Sequence, residues 1–172
     1  MPTRHSLAVA AGFLGLACWA AQHWFVMNTS ESFPPGLYRK QWVPPHKGDL
    51  VLFCPPDRPI FREARRRGWI DYGLCPSGAG YMIKRIAATE GDHVEMSAVG
   101  VSVNGTTLEN SARRMDTGYD VFLPFSHNLQ HSEVLLMSPH PLSFDGRYFG
   151  IVHAGAIKAV LHPVLLWEVN HE

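Results

Sequence analysis

The chain has 172 residues, 46% apolar and 17% charged, with 15 Lys+Arg balancing 15 Asp+Glu, and three cysteines. An average soluble domain is about 25% charged, so this composition supports a packed core and argues against disorder. Zero net charge speaks against a nucleic-acid partner, and three cysteines without a CxxC pair speak against a disulfide scaffold or a structural zinc site.

From Leu7 to Met27 the chain reads LAVAAGFLGLACWAAQHWFVM, and no Asp, Glu, Lys or Arg lies between Arg4 and Glu31. At about 1.5 Å rise per residue such a stretch covers a hydrocarbon core of about 30 Å. Gln22, His23 and Trp24 stand at its far end, where polar and aromatic groups are tolerated at the interface. A cleaved signal peptide is the alternative, but Trp19 spoils Ala17-Cys18-Trp19 as a cleavage site, and Gly15 weakens a lipoprotein-like reading of Leu16-Ala17-Cys18. The expectation is a short N-terminal tip and retained transmembrane signal-anchor in residues 1–27, followed by one β-domain over 28–172. Arg4 and the terminal amine favour a cytoplasmic N-terminus, yet Arg39, Lys40 and Lys47 follow, so charge alone leaves the orientation open.

Thirteen prolines and fifteen glycines favour short strands joined by turns. Strands are expected at Asp49–Phe53, Tyr81–Ala88, Asp92–Met96 and Val99–Val103. Asn104-Gly105, the preferred type I′ turn pair, leads into Thr106–Leu108. Further strands are expected at Glu133–Met137, Tyr148–Val152, Ala156–Leu161 and Val164–Val169. Only Arg58–Trp69 looks helical, and Ser111–Ser132 reads as loop with one strand around Asp120–Leu123. The fold class is mainly β.

Four places could carry chemistry. Ser32 precedes Pro34-Pro35, which stiffens the backbone, and Gly36, which allows a tight reversal. A serine on such a turn is a candidate nucleophile; the competing reading is a polar linker. Lys84, in YMIKRI, shares a strand face with Met82 and Ile86, while Arg85 points with Ile83 and Ala87. Desolvation among apolar side chains lowers a lysine's pKa, as a general base requires; a lysine snorkelling from a strand edge is the alternative. The chain has four lysines, and Lys158, in AIKAVL, is the competing base. Ser143, Asp145 and Arg147 alternate along a segment read as extended, either bracing a site or forming a surface ion pair of little value. Among ten histidines, His127 and His131 are four apart, a metal-binding spacing only on a helix, and PFSHNLQHSE is not helical in pattern. His153 could serve a Ser-His-Asp triad, but no GxSxG elbow is present.

In their order these pieces resemble the type I signal peptidase family, and most of all its conjugal-transfer, TraF-type branch. Asn28, Ser30, Ser32, Pro34, Gly36 and Tyr38 match the serine box. Lys47-Gly-Asp-Leu-Val-Leu-Phe53 resembles the second box. Met82-Ile-Lys-Arg-Ile86 with Gly91-Asp92 resembles the lysine box, and Val103-Asn-Gly105 the hairpin after it. Ser143-Phe-Asp-Gly-Arg-Tyr-Phe-Gly150 resembles the last box. Each box is short; five in order behind an apolar leader make the signal. Two departures stand out. Gly146 lies where signal peptidases often have serine, and the proline after Ser32 comes one position early relative to general signal peptidases, as in the conjugal branch.

The resemblance implies a signal-peptidase-like β-domain and a serine–lysine dyad, with Ser32 as nucleophile and Lys84 as general base. Ser30 and the Ser32 N–H would form the oxyanion hole, Ser143 would orient the lysine amine, and Asp145 with Arg147 would hold that segment. It implies a single-pass protein of the inner (cytoplasmic) membrane, N-terminus inside and catalytic domain periplasmic, with no cofactor or metal. In that oxidising compartment Cys54 and Cys75 would be bridged, worth roughly 3 kcal/mol in the chain-entropy model, with Cys18 left over. The implied substrates are exported precursors, in this branch a conjugative pilin, which some members also cyclise. Mating-apparatus proteins are the implied partners. The rival readings are a general secretory signal peptidase and a non-catalytic structural part of a secretion or mating apparatus. A cytoplasmic self-cleaving repressor also uses serine and lysine, but the leading apolar segment argues against it. The arginines at 58, 62, 65, 66 and 67 read as a solvated or headgroup-facing surface, or as a dock for an acidic partner.

Overall fold

The computed structural model describes residues 15, 22–97, 99–113 and 124–167. Among them lie eleven strands: β1 (Phe25–Asn28), β2 (Gly36–Gln41), β3 (Leu50–Phe53), β4 (Met82–Ala88), β5 (His93–Ser97), β6 (Gly100–Val103), β7 (Thr106–Thr107), β8 (Phe125–Asn128), β9 (Glu133–Met137), β10 (Val152–His153) and β11 (Ile157–Leu166). Two short helices, α1 (Pro59–Arg66) and α2 (Gly146–Phe149), complete the described elements with a 3-10 turn at Ala154–Ala156.

The strands form two antiparallel sheets. The larger has the order β1-β2-β11-β3-β4-β9-β10 and the smaller β7-β6-β5-β8. One core lies between the large sheet and the helices, where Phe53, Phe61, Phe144 and Phe149 pack around Val51, Ile86 and Leu136. A second joins the small sheet to β4 and β9 through Ala88, Val94, Met96, Val101, Leu135 and Met137. A third, with Phe33, Tyr38, Leu52, Ile83 and Leu161, covers the opposite face of β3 and β4.

Several expectations change. The apolar leader lies largely outside the described residues, and among those no helix is long and apolar enough to cross a membrane. Its last three residues, Phe25–Met27, are strand: β1 pairs Phe25 with Arg39 through to Asn28 with Gly36. Gly36 therefore sits in strand β2 rather than in a reversal. A Cβ there would stand 2.4 Å from the Leu165 carbonyl, so glycine serves close approach of β2 to β11. The expected strand at Tyr148–Val152 starts only at Val152. Asp145 caps α2 by accepting from the Arg147 N–H, and Gly150, at φ 72°, ends it. A short apolar run reads either way until its neighbours are placed.

The two strands expected between Ala156 and Val169 are one. Pro163 lies within β11 at a register shift, and beyond Val160 that strand pairs only with β2, an edge setting in which proline is tolerated. β8 lies where loop was expected; its sequence FSHN has no apolar alternation, and pairing with β5 makes it a strand. The strand expected around Asp120–Leu123 lies outside the described residues. The arginines around α1 are bonded within the chain. Arg58 donates to the Phe149 and Ile151 carbonyls and Arg65 to that of Ser77, while Arg62 pairs with Asp57, and Arg66 and Arg67 with Glu63.

Candidate active site

Ser32 lies in the connection between β1 and β2, and that connection is tied down by side chains. Asn28, buried at the end of β1, donates its amide to the carbonyls of Ser30 (3.1 Å), Phe33 (2.8 Å) and Pro34 (3.2 Å). Its Oδ1 accepts from the Ser30 N–H and hydroxyl. The Tyr38 hydroxyl donates to the Pro34 carbonyl at 2.5 Å, and burial raises its pKa. From the other side, the Ser138 hydroxyl donates to the Ser32 carbonyl at 2.6 Å. The turn is rigid because of this net as well as its prolines.

Lys84 is in the middle of β4, on the face shared with Met82 and Ile86, and is 2% exposed. Its Nζ donates to Ser143 Oγ at 2.8 Å and to Ser32 Oγ at 3.2 Å, and the two hydroxyls are 3.0 Å apart. Burial pulls its pKa down to about 8; the Asp145 carboxylate works against that fall and the Arg147 guanidinium adds to it. Lys158, the other candidate, is exposed and donates to the Gly155 carbonyl. Burial separates the two lysines.

Ser143, Asp145 and Arg147 are all buried, but not along an extended segment, because α2 begins at Gly146. The Asp145–Arg147 pair is 2.7 Å long with both side chains at 0% exposure, so the surface-pair alternative does not hold. Burial raises the Asp145 carboxyl's pKa, and its bonds to Arg147 oppose that. Arg147 meets both carboxylate oxygens and also donates to the carbonyls of Asn110, Ser138, His140 and Pro141. Only a planar guanidinium can satisfy that many acceptors. Asp145 in turn accepts from the Ser138 N–H. Ser138 thus links the ion pair to the carbonyl of Ser32.

A cleft of about 460 Å³ opens over Ser32 and Lys84, lined by Val26–Ser30 from β1 and beyond, by Trp69–Asp71, by Tyr81–Ile83, and by Leu52 and Phe144. Strands β2, β11 and β3 lie between β1 and β4 in the sheet, so the sheet curls to bring both to one cleft. Ser30 lines the cleft, its hydroxyl held by Asn28. The three histidines singled out in the sequence are engaged elsewhere: His127 is in strand β8 bonded to Glu133, His131 meets Glu90, and His153 caps the 3-10 turn. Cys54 and Cys75 are joined, their Cα atoms 5.5 Å apart, and the loop they close carries Trp69–Asp71 to the cleft.

A buried lysine against a serine on a fixed turn is peptidase-like chemistry, and comparison with known proteins gives it a family. The model of the signal peptidase family, peptidase S26, matches residues 6–166. This chain belongs to that family. It is 44% identical over 146 residues to an Escherichia coli "Plasmid transfer protein TraF", covering 82% of each chain. It is 38% identical to a "Probable conjugal transfer protein TraF" of Sinorhizobium fredii over 82% of this chain and 77% of the relative. A solved signal peptidase I of Enterococcus faecalis V583 covers 71% of this chain and 100% of its own length at 18% identity and a TM-score of 0.41, a likeness too low to carry an argument. The sequence relatives place the chain in the TraF-type, conjugal-transfer branch of the peptidase family.

Two site residues of this peptidase were not singled out by sequence reasoning. Asn28 was part of the matched serine box but had no role, and Ser138, at the end of β9, carried no signal. Nothing local marks a serine whose importance lies in bonding residues 106 positions away.

Proposed function

We propose that the chain is a membrane-anchored serine endopeptidase that cleaves exported precursor proteins, with conjugative pilin maturation as its task. The observation that carries this reading is the buried Lys84 amine within 3.2 Å of Ser32 Oγ. Neutral Lys84 keeps an N–H on Ser143 and turns its lone pair to the Ser32 hydroxyl. It takes that proton as Oγ attacks the scissile carbonyl. The oxyanion is held by the Ser32 N–H and by the Ser30 hydroxyl, which swings from Asn28. Lys84 then returns its proton to the leaving amine. Attack by water on the acyl-enzyme releases the mature chain; attack by an amine of the same chain would close it into a ring.

The apolar leader is read as the inner-membrane anchor with the β-domain on the periplasmic side, which agrees with a joined Cys54–Cys75 pair. The pilin assignment draws on the conjugal-transfer relatives. The test is precursor cleavage by the purified full-length protein. Ser32→Ala should lose at least about 10³-fold in rate while keeping its melting temperature, because Ser32 is only half-buried. Normal cleavage by Ser32→Ala would overturn the assignment. Accumulation of a pilin precursor in cells carrying Ser32→Ala separates this reading from a general secretory peptidase, whose loss would leave many precursors unprocessed.

A further inference from the structure

The cleft holds one charged group for which the reaction has no use. Asp71 lines it together with Ser32 and Lys84 and is the sole carboxylate among the described lining residues. Its main chain is held: its carbonyl accepts from the Gly80 N–H at 2.7 Å, beside an antiparallel bridge between Tyr72 and Ala79. The Cys54–Cys75 bond ties the same loop to the end of β3. Its exposed side chain, in contrast, has no hydrogen bond or ion pair with another described residue. The Asp145 carboxylate, by contrast, is buried and locked to Arg147.

The rest of the lining is apolar or neutral, apart from Lys84, which is buried beneath the serine. A carboxylate set in such a cleft attracts a cation and loses little freedom in meeting it. Tyr81, in the same lining and 56% exposed, offers a ring to the stem of a lysine or the face of a guanidinium. We infer that Asp71 is a specificity-determining residue that selects precursors carrying a basic side chain, lysine or arginine, close to the scissile bond. The inference rests on the serine–lysine reading of Ser32 and Lys84.

The test uses the full-length protein in detergent micelles and internally quenched peptides of one alanine-rich sequence, with Lys, Ala or Glu placed at each position in turn. At one position the Lys peptide should exceed the Glu peptide about fivefold or more in kcat/KM, as for a partly solvated ion pair. Asp71→Asn should bring that ratio close to one, and Asp71→Lys should invert it. Fluorescence anisotropy of the same peptides on Ser32→Ala reads the preference without turnover. Cleavage by Ser32→Ala would sink the serine–lysine reading, while the Lys-to-Glu ratio would still decide the role of Asp71. A ratio near one at every position in both readouts, or a preference that survives in Asp71→Asn, overturns the inference. So does an Asp71→Asn effect confined to the pH profile, which would mark a field on Lys84 rather than a contact with substrate.

Discussion

At the scale of single residues, the proposed chemistry turns on whether Lys84 carries a proton. Burial favours the neutral amine, and the pKa falls to about 8. Above that value the amine can accept the Ser32 proton; below it the ammonium cannot. In a pH series kcat/KM should therefore drop about tenfold per unit below that pKa and level off above it. Lys84→Arg should be as inactive as Lys84→Ala, because a guanidinium stays charged, whereas Lys158→Ala should keep most activity. Substantial cleavage by Lys84→Arg would transfer the role of base to another group. Ser30 makes a graded case. Its hydroxyl is one of two donors proposed for the oxyanion, so Ser30→Ala should lower kcat by about 10²–10³. KM should change little, because the donor acts on charge that develops only in the transition state.

At the scale of elements, the site depends on how closely α2 packs on β9. A Cβ at Gly146 would lie 2.6 Å from Leu135 Cδ1 and 2.7 Å from the Leu136 carbonyl. The carbonyl belongs to a paired strand and cannot yield as a side-chain end can. The serine common at this place in other signal peptidases would not fit here without a shift of the helix. Gly146→Ser should destabilise the protein by about 1–3 kcal/mol in urea unfolding. Activity should fall with it, since α2 carries Arg147 and is capped by Asp145. Unchanged stability would show that the helix has room to move. The β1–β2 connection is held differently, by the Asn28 amide and the Tyr38 hydroxyl rather than by close packing of backbones.

At the scale of the whole molecule, the large sheet, its loops and α2's approach build the site, while the small sheet contributes none of the described residues that line the cleft. The disulfide is a long-range brace. It ties the end of β3 to the loop that delivers Trp69–Asp71 to the cleft, across a separation of 21 residues. Thiol labelling before reduction should leave Cys54 and Cys75 unmodified. Replacing both by serine should cost about 3 kcal/mol of stability and raise KM more than it lowers kcat. Ready alkylation of both cysteines in the unreduced protein would show that the brace is absent in solution.

Much of the strand set was legible in the sequence because its signals are local. Alternation marks β4 and β5, and Asn104 and Gly105 take the positive φ values, 51° and 79°, that an Asn-Gly turn demands. Parity along β4 puts Lys84 with Met82 and Ile86 whatever the rest of the fold does. The order of the boxes points to the peptidase family in the same way, through short motifs readable one at a time. The tertiary structure alone decides what depends on neighbours distant in the chain. FSHN becomes β8 because β5 offers it hydrogen bonds, and Phe25–Met27 becomes strand because β2 does. Burial distinguishes Lys84 from Lys158, and burial is a property of the surrounding elements rather than of the residue. Ser32, Lys84 and Ser143 meet across separations of 52, 59 and 111 residues. No local pattern encodes that meeting; it exists only once the sheet has curled and α2 has packed against it.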